Sequence, residues 1–341
     1  MKLKTYCFVA GVSGGHILPA LNLAHDYQKN DPHARIVFIT TQSDLDTKVM
    51  HDASDIEHYA MHIKPVPYRM WYKLPQFAYQ LFATFIKSVR ILQSTKPERV
   101  ITTGSYLAIP VCIAAWILRI PIELIELNVE PGKAIATLAP LATTISICFK
   151  QAQQYFPRTQ CVLRPYPLSN SINSPTCTRE QLLQELGFDA AKKTVLIVGG
   201  SQGSVSLNRA IQSLLAKNPD ATRTLQFIHQ TGSSDTTDWQ SVYAAHRITA
   251  HVFAYNPQLV RYYIAADCII TRAGSGSLHE IMHFKKQCII VPLITSTTHH
   301  QRANAYAMQE QYPNLVQVIE QDELAKNENC LLLSIEFAYN R

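Results

Sequence analysis

The stretch Tyr6-Cys-Phe-Val-Ala-Gly11-Val-Ser-Gly-Gly-His16-Ile-Leu-Pro-Ala-Leu21 passes from a short apolar run, through a glycine loop, into a segment of helical period. Ile17, Leu21, Ala24 and Gln28 mark that helix at a spacing near 3.6, and residues 36–40 read as a second apolar strand. Strand, glycine turn, helix, strand is the opening of a parallel βαβ unit. Further strand candidates follow at 100–102, 122–126 and 145–149. The second half repeats the design with 195–198, 226–229, 250–253, 268–271, 288–292 and 315–319. Helical segments at about 206–216, 257–265, 276–284 and 300–311 lie between them. This alternation predicts an α/β protein whose parallel sheets are covered on both faces. Residues 156–178 break the rhythm with Pro157, Pro165, Pro167 and Pro175 and read as a linker. The 341 residues suit two doubly wound, Rossmann-like domains, 1–160 and 161–341. Binding sites in such sheets lie at the carboxyl ends of strands, so two facing domains would share one cleft.

Composition narrows the classes. Apolar residues make up 47 % and charged residues 16 % of the chain. The eight cysteines, at 7, 112, 148, 161, 177, 268, 288 and 330, form no C-x-x-C pair and several sit in strand-like runs. They read as reduced core residues of a cytosolic protein, not disulfides or zinc ligands. The apolar run 6–10 is too short for a signal peptide, and the longest one, 107–118, is interrupted by Pro110 and too short to cross a bilayer. Residues 1–160 hold 16 Lys and Arg against 11 Asp and Glu, which implies a basic surface on the first half. Between 71 and 92, Leu74, Phe77, Ala78, Leu81, Phe82, Phe85, Ile86 and Val89 form a helical apolar stripe. Before it stand Trp71 and Tyr72, types that favour membrane interfaces, and Lys64, Arg69, Lys73, Lys87 and Arg90 flank it. The stripe itself can be a core helix while Arg69, Trp71, Tyr72 and Lys73 face an anionic membrane surface. No Walker A loop, G-x-S-x-G elbow, H-E-x-x-H or dinucleotide fingerprint is present. Neither a cofactor, a metal nor a nucleic-acid partner is expected.

Three glycine loops carry the candidate chemistry. Gly11-Val-Ser-Gly-Gly-His16 opens the first helix, where unpaired N–H groups and the helix dipole favour phosphate or polar oxygens. His16 can act there as a base or merely cap the helix. Gly199-Gly-Ser-Gln-Gly-Ser204 and Arg272-Ala-Gly-Ser-Gly-Ser277 repeat the arrangement in the second half. Glu280, one turn into the third helix, can accept the two hydroxyls of a ribose. Gln301 and Asn304 are three apart and share a helix face, where amides can read sugar hydroxyls and an acetamido group. His299 and His300 are adjacent and do not form a zinc pair.

In order and spacing these segments resemble the MurG family of peptidoglycan glycosyltransferases. The likeness rests on Gly11–His16 followed by Ile-Leu-Pro-Ala, Thr103-Gly-Ser-Tyr106, Gly199-Gly-Ser-Gln-Gly203 with Asn208, Arg272-Ala-Gly-Ser-Gly-Ser-Leu-His-Glu280, and His300-Gln301-x-x-Asn304-Ala. It covers about residues 5–320. The resemblance implies a GT-B fold and inverting transfer of N-acetylglucosamine from UDP-N-acetylglucosamine to a lipid-linked acceptor, lipid I. The enzyme would sit peripherally on the inner face of the plasma membrane. It implies a donor site of Ser201, Gln202, Gly203, Asn256, Arg272, Gly274, Ser275, Glu280, Gln301 and Asn304, with the uracil near Tyr255 and Asn256. It implies an acceptor site of Ser13, Gly14, Gly15, Tyr106 and Asn128, with His16 or Glu126 taking the proton. The chain departs from the family where H-E-Q-N is replaced by Ile125-Glu126-Leu127-Asn128 and G-N-P-V-R by Leu163-Arg-Pro-Tyr-Pro167. A diacylglycerol acceptor, and a catalytically weak sugar-nucleotide-binding protein, remain alternatives.

Overall fold

The computed structural model describes residues 3–64, 72, 74–173, 177–200, 203–256, 258–295, 298, 300–326 and 329–339. The chain divides into two compact units, Met1–Ser169 and Asn170–Arg341. The first unit holds seven strands: β1 Thr5–Val9, β2 Arg35–Thr41, β3 Glu57–Met61, β4 Arg99–Thr102, β5 Ile122–Glu126, β6 Thr144–Ile147 and β7 Cys161–Leu163. They form one sheet in the order β3-β2-β1-β4-β5-β6-β7, and every pair is parallel. Helices α1 Gly14–Asn30, α2 Asp44–Asp52, α3 Leu74–Thr95, α4 Ala108–Ile117 and α5 Lys133–Leu138 make the crossovers.

The second unit repeats the plan. Helix α6 Arg179–Glu185 leads into β8 Lys193–Val198, α7 Val205–Lys217, α8 Pro219–Thr222, β9 Leu225–Gln230, α9 Trp239–Ala245, β10 Ala250–Phe253 and α10 Val260–Ala265. Then come β11 Cys268–Thr271, α11 Ser275–His283, β12 Gln287–Ile290, α12 His300–Gln311, β13 Val316–Val318, α13 Gln321–Lys326 and α14 Cys330–Tyr339. The six strands, all parallel, run in the order β10-β9-β8-β11-β12-β13.

In each sheet the strand order reverses once, between β1 and β4 and between β8 and β11. A crevice opens at such a switch point because the two crossover connections leave in opposite directions. The first two loops of chemistry follow β1 and β8, and the third follows β11, so all three fall at a switch point. Strands buried on both faces read as unbroken apolar runs: Cys7, Phe8 and Val9, and Val195, Leu196 and Ile197, are fully inaccessible.

Two features differ from the sequence expectation. Residues 156–178 are not all linker: Cys161–Leu163 forms β7 on β6, which moves the boundary from 160 to Ser169. A three-residue edge strand carries too little periodicity to be read. Strand β3, with the sequence Glu-His-Tyr-Ala-Met, was also not evident, being a polar edge strand. The stripe of 74–92 is α3, and Leu81, Phe85 and Val89 pack on the first core while Tyr79 and Phe82 stay exposed. The cysteines are all unpaired thiols, and Cys7, Cys112, Cys148, Cys268, Cys288 and Cys330 are buried. Among the described residues no helix is long and apolar enough to cross a membrane.

Candidate active site

In the first unit the loop after β1 is shaped from below by a buried carboxylate. Asp46, the third residue of α2, is fully inaccessible. It accepts the Val12 N–H at 3.0 Å and the Thr41 N–H at 3.2 Å, and Thr41 donates its hydroxyl to the same carboxylate. This grip holds Val12 at φ +78°, a left-handed conformation that a β-branched residue adopts only when its surroundings impose it. A Cβ on Gly11 would come within 2.5 Å of the Asp46 carboxylate, which explains the glycine. Ser13 occupies the N-cap of α1, yet its hydroxyl makes no capping bond. Gly14, Gly15 and His16 form the first turn, and the His16 and Ile17 N–H groups both donate to the Ser13 carbonyl at 3.1 Å.

His16 is tied to the loop after β4. Its Nδ1 lies 2.9 Å from the Thr103 carbonyl oxygen, and the Thr103 hydroxyl donates to the His16 carbonyl at 2.9 Å. A carbonyl only accepts, so Nδ1 carries the proton and Nε2 presents its lone pair. Burial lowers the imidazole pKa, opposed by the Thr103 bond. The ring is therefore neutral near pH 7, as a base requires. Tyr106, half-buried on the same loop, packs on the core, and burial raises its phenol pKa.

Glu126 ends β5 and is 2 % exposed. Its Oε1 accepts the Asn128 N–H at 2.8 Å and the Asn128 side-chain amide at 3.3 Å, and Oε2 accepts the Gly132 N–H at 3.0 Å. Burial pushes its carboxyl up to about 7 against the pull of those donors. Both oxygens are thus engaged in pinning loop 127–132, a geometry that positions Asn128. Among the described residues His16 Nε2 has no hydrogen-bond partner, whereas both Glu126 oxygens accept N–H groups.

In the second unit Gly203 sits at φ +77°, and a Cβ there would meet the Gly232 Cα at 2.3 Å and the Thr231 carbonyl at 2.4 Å. Only glycine lets the loop lie on that backbone. A one-way hydrogen-bond chain secures the helix that follows. Asn208 spends its amide N–H groups on the Thr231 carbonyl (2.9 Å) and Asp235 (2.6 Å). Its oxygen must then accept from His229 Nε2 (3.1 Å), so His229 Nδ1 accepts from the Tyr243 hydroxyl (3.1 Å). Burial drops the His229 pKa to about 3, which keeps it neutral.

Arg272 bridges the second and third loops. Nε and Nη2 donate to Ser204 Oγ at 3.0 and 2.8 Å, Nη2 also to Ser206, and Nη1 to the Val291 carbonyl (2.9 Å) and Gln321 (3.2 Å). None of these acceptors is a carboxylate, and burial lowers its pKa to about 10. A buried cation held only by neutral oxygens favours an anionic ligand beside it. Gly274 is the N-cap of α11, with no side-chain capping bond, and Ser275 is buried next to it. Glu280 on α11 accepts the Tyr263 hydroxyl on Oε2 at 3.0 Å, and burial raises its pKa. Oε1 has no partner among the described residues. Gln301 and Asn304 do share a face of α12, but part of each is engaged: Gln301 Oε1 accepts the Ala273 and Leu293 N–H groups, and Asn304 donates to the Ala273 carbonyl. Gln301 and Asn304 thus meet the backbone at Ala273, between Arg272 and Gly274 and directly after β11. Asn256 lies after β10, bonded to Tyr262 and to the Gln258 N–H. Ser201, Gln202, Arg69, Trp71 and Lys73 lie outside the described residues, and Tyr72 is exposed. Sequence reasoning missed Asp46, and it quoted Thr103 within a motif without giving it a role. The pattern Ser43-x-x-Asp46, in which Ser43 caps the Asp46 N–H, is the helix-start signal that could have drawn attention to Asp46.

Two doubly wound units, each with glycine loops at its switch point, define a GT-B glycosyltransferase architecture. Residues 6–147 match the family model described as the glycosyltransferase family 28 N-terminal domain, and residues 194–329 its C-terminal domain. A UDP-N-acetylglucosamine--N-acetylmuramyl-(pentapeptide) pyrophosphoryl-undecaprenol N-acetylglucosamine transferase of Protochlamydia amoebophila is 32 % identical over 89 % of this chain and 79 % of its own. The transferase of the same name from Bacillus subtilis is 29 % identical over 87 % and 81 %. The chain belongs to glycosyltransferase family 28 and, within it, to the MurG family of N-acetylglucosaminyltransferases. The crystal structure of Acinetobacter baumannii MurG superposes with a TM-score of 0.75 at 24 % identity, covering 98 % of this chain and 93 % of that one. A UDP-GlcNAc 2-epimerase of Methanocaldococcus jannaschii reaches 0.67 at 11 %, covering 99 % and 93 %. The fold alone therefore does not select transfer; the sequence relationship does.

Proposed function

We propose that this chain transfers N-acetylglucosamine from UDP-N-acetylglucosamine to lipid I, giving lipid II, with inversion at the sugar. The acceptor hydroxyl attacks the anomeric carbon and its proton passes to His16 Nε2. The bond from that carbon to the β-phosphate oxygen breaks, and UDP leaves with the electron pair. Arg272, the glycine loop ending at Gly203 and the N-terminus of α11 at Gly274 and Ser275 stabilise the negative charge of UDP. Ser201 and Gln202 contact the diphosphate or sugar, Glu280 holds the ribose, Gln301 and Asn304 read the N-acetylglucosamine, and Asn256 lies by the uracil. Ser13, Gly14, Gly15, Tyr106 and Asn128 meet the acceptor. The observation that carries the reading is His16, neutral, locked by Thr103, with no partner on its basic nitrogen among the described residues.

The acceptor is lipid-linked, so the first unit docks on an anionic membrane surface at the inner face of the plasma membrane. Support comes from α3 and α4, which pack together and expose Tyr79, Phe82, Trp116 and Ile117; Lys87 and Arg90 of α3 and Arg119 just after α4 are exposed too. Arg69, Trp71, Tyr72 and Lys73 extend this patch in sequence. Incubating the chain with UDP-N-acetylglucosamine and a lipid I analogue, and following UDP release and lipid product by mass spectrometry, tests the reading. Lipid II is expected. UDP release without a glycosylated lipid, or no turnover at all, would defeat it.

A further inference from the structure

In the second unit the loops after β8 and β10 are both fastened to one short stretch of backbone, Thr231–Gly232, which directly follows β9. On one side lies the glycine loop after β8. A Cβ on Gly203 would stand 2.3 Å from the Gly232 Cα and 2.4 Å from the Thr231 carbonyl oxygen, so the two backbones lie against each other. On the other side lies the end of β10. The Thr231 N–H donates to the Phe253 carbonyl at 3.0 Å and the Gly232 N–H to the Ala254 carbonyl at 3.1 Å, directly before Tyr255 and Asn256. Asn208 holds the stretch in place, its Nδ2 donating to the Thr231 carbonyl at 2.9 Å and to Asp235 at 2.6 Å. Asp235 in turn is fixed by the Thr237 N–H at 2.9 Å and the Trp239 indole N–H at 3.2 Å.

We propose that Asp235 is a positioning residue for the donor nucleotide: through Asn208 it fixes Thr231–Gly232, and with it the spacing between the loop that takes the diphosphate and the loop that takes the base. An amide bonded to a histidine can turn over, because the imidazole can change tautomer to match. The Thr231 carbonyl and the Asp235 carboxylate only accept, so a turned Asn208 would set its oxygen against both. The bond to Asp235 is charge-assisted and is the stronger of the two. Asp235 therefore decides which way the Asn208 amide faces and keeps it on the Thr231 carbonyl. UDP spans both loops, whereas uridine uses only the base loop, so a lost spacing weakens UDP alone. The inference rests on the reading of the second unit as the donor side.

Calorimetric titration of UDP and of uridine separates positioning from general loosening of the unit. Asp235→Ala is expected to weaken UDP about three- to tenfold, the worth of one net hydrogen bond, and to leave uridine within about twofold. Asp235→Asn, which can still turn an oxygen toward Asn208, should recover most of the UDP affinity. Asn208→Ala should weaken UDP at least as much as Asp235→Ala does. The double variant should lose no more than Asn208→Ala alone, because Asp235 acts through Asn208. Parental UDP affinity in Asp235→Ala, equal losses of UDP and uridine, or additive losses in the double variant would each overturn the assignment. A parent chain that binds no UDP overturns the donor reading and this inference with it.

Discussion

His16 and Thr103 hold each other by a reciprocal pair of bonds, Nδ1 to carbonyl and hydroxyl to carbonyl, each 2.9 Å long. The pair joins the loop after β1 to the loop after β4 across the switch point. It also fixes the tautomer, leaving the lone pair on Nε2.

If His16 is the base, His16→Ala should lower kcat about 100-fold or more while UDP affinity stays at the parental value. The pH profile adds a signature. Burial lowers the imidazole pKa, so turnover should persist as pH falls below the usual histidine value near 6.5. It should decline only as the lowered pKa is passed and Nε2 becomes protonated. A variant with near-parental kcat would leave His16 a positioning group and end its candidacy as base.

Glu280 has one oxygen held by Tyr263 and the other without a partner among the described residues. Glu280→Ala should weaken UDP binding by about 1–3 kcal/mol, the cost of leaving buried hydroxyls without a charged acceptor. Tyr263→Phe should change it by less than about 1 kcal/mol, since it frees an oxygen without removing the carboxylate. Calorimetric titration of UDP reads both; equal affinity in Glu280→Ala and parent would remove Glu280 from the ribose.

Glu126 gives a pH dependence of stability whose sign follows from its raised pKa of about 7. Between about 4.5 and 7 the folded chain keeps a proton that the unfolded chain has released. Stability from this group is therefore greatest below about 4.5 and declines as pH rises through 7, by up to ~3 kcal/mol. Glu126→Gln cannot ionise. It should be less stable than the parent at pH 5, where its amide opposes the N–H of Asn128 or Gly132, and should close that gap by pH 8. Urea unfolding at the two pH values measures the difference; a constant gap would mean that Glu126 does not titrate in this range.

The doubly wound plan was legible because its strands are buried on both faces and its helices have clear period. Cys268–Thr271, for instance, was read to the residue. The glycine loops were legible because Gly203 and Gly11 stand where a Cβ would collide with neighbouring atoms. What sequence could not supply was contact at a distance. Asp46 lies 34 positions from Val12 and Thr103 lies 87 from His16, and no local pattern encodes those bonds. Strand β7 was hidden in a proline-rich segment because Cys-Val-Leu is too short to show alternation. Gln301 and Asn304 were correctly placed on one face of α12. Their grip on Ala273 appears only in three dimensions.

Membrane docking is the last expectation. Helix α3 has an inward face, Leu81, Phe85 and Val89, packed on the first core, and an outward one with Tyr79 at 72 % and Phe82 at 63 % exposure. Its neighbour α4 exposes Trp116 at 57 % and Ile117 at 54 %. These exposed aromatic and aliphatic groups, with the exposed Lys87, Arg90 and Arg119 of the same two helices and the turn after α4, are proposed to meet headgroups and the upper acyl chains. Near anionic lipid each cation contributes about 1 kcal/mol, attenuated by salt over a Debye length. Co-sedimentation should therefore show binding to phosphatidylglycerol-containing vesicles, little to purely zwitterionic ones, and release as salt rises. Phe82→Ser with Trp116→Ser should weaken binding at every salt concentration, because the apolar contribution is unscreened. Arg90→Glu with Arg119→Glu should weaken it mainly at low salt. Neither pair should alter UDP affinity, since the proposed donor residues lie in the second unit. Parental vesicle binding in both double variants would exclude this surface as the docking face.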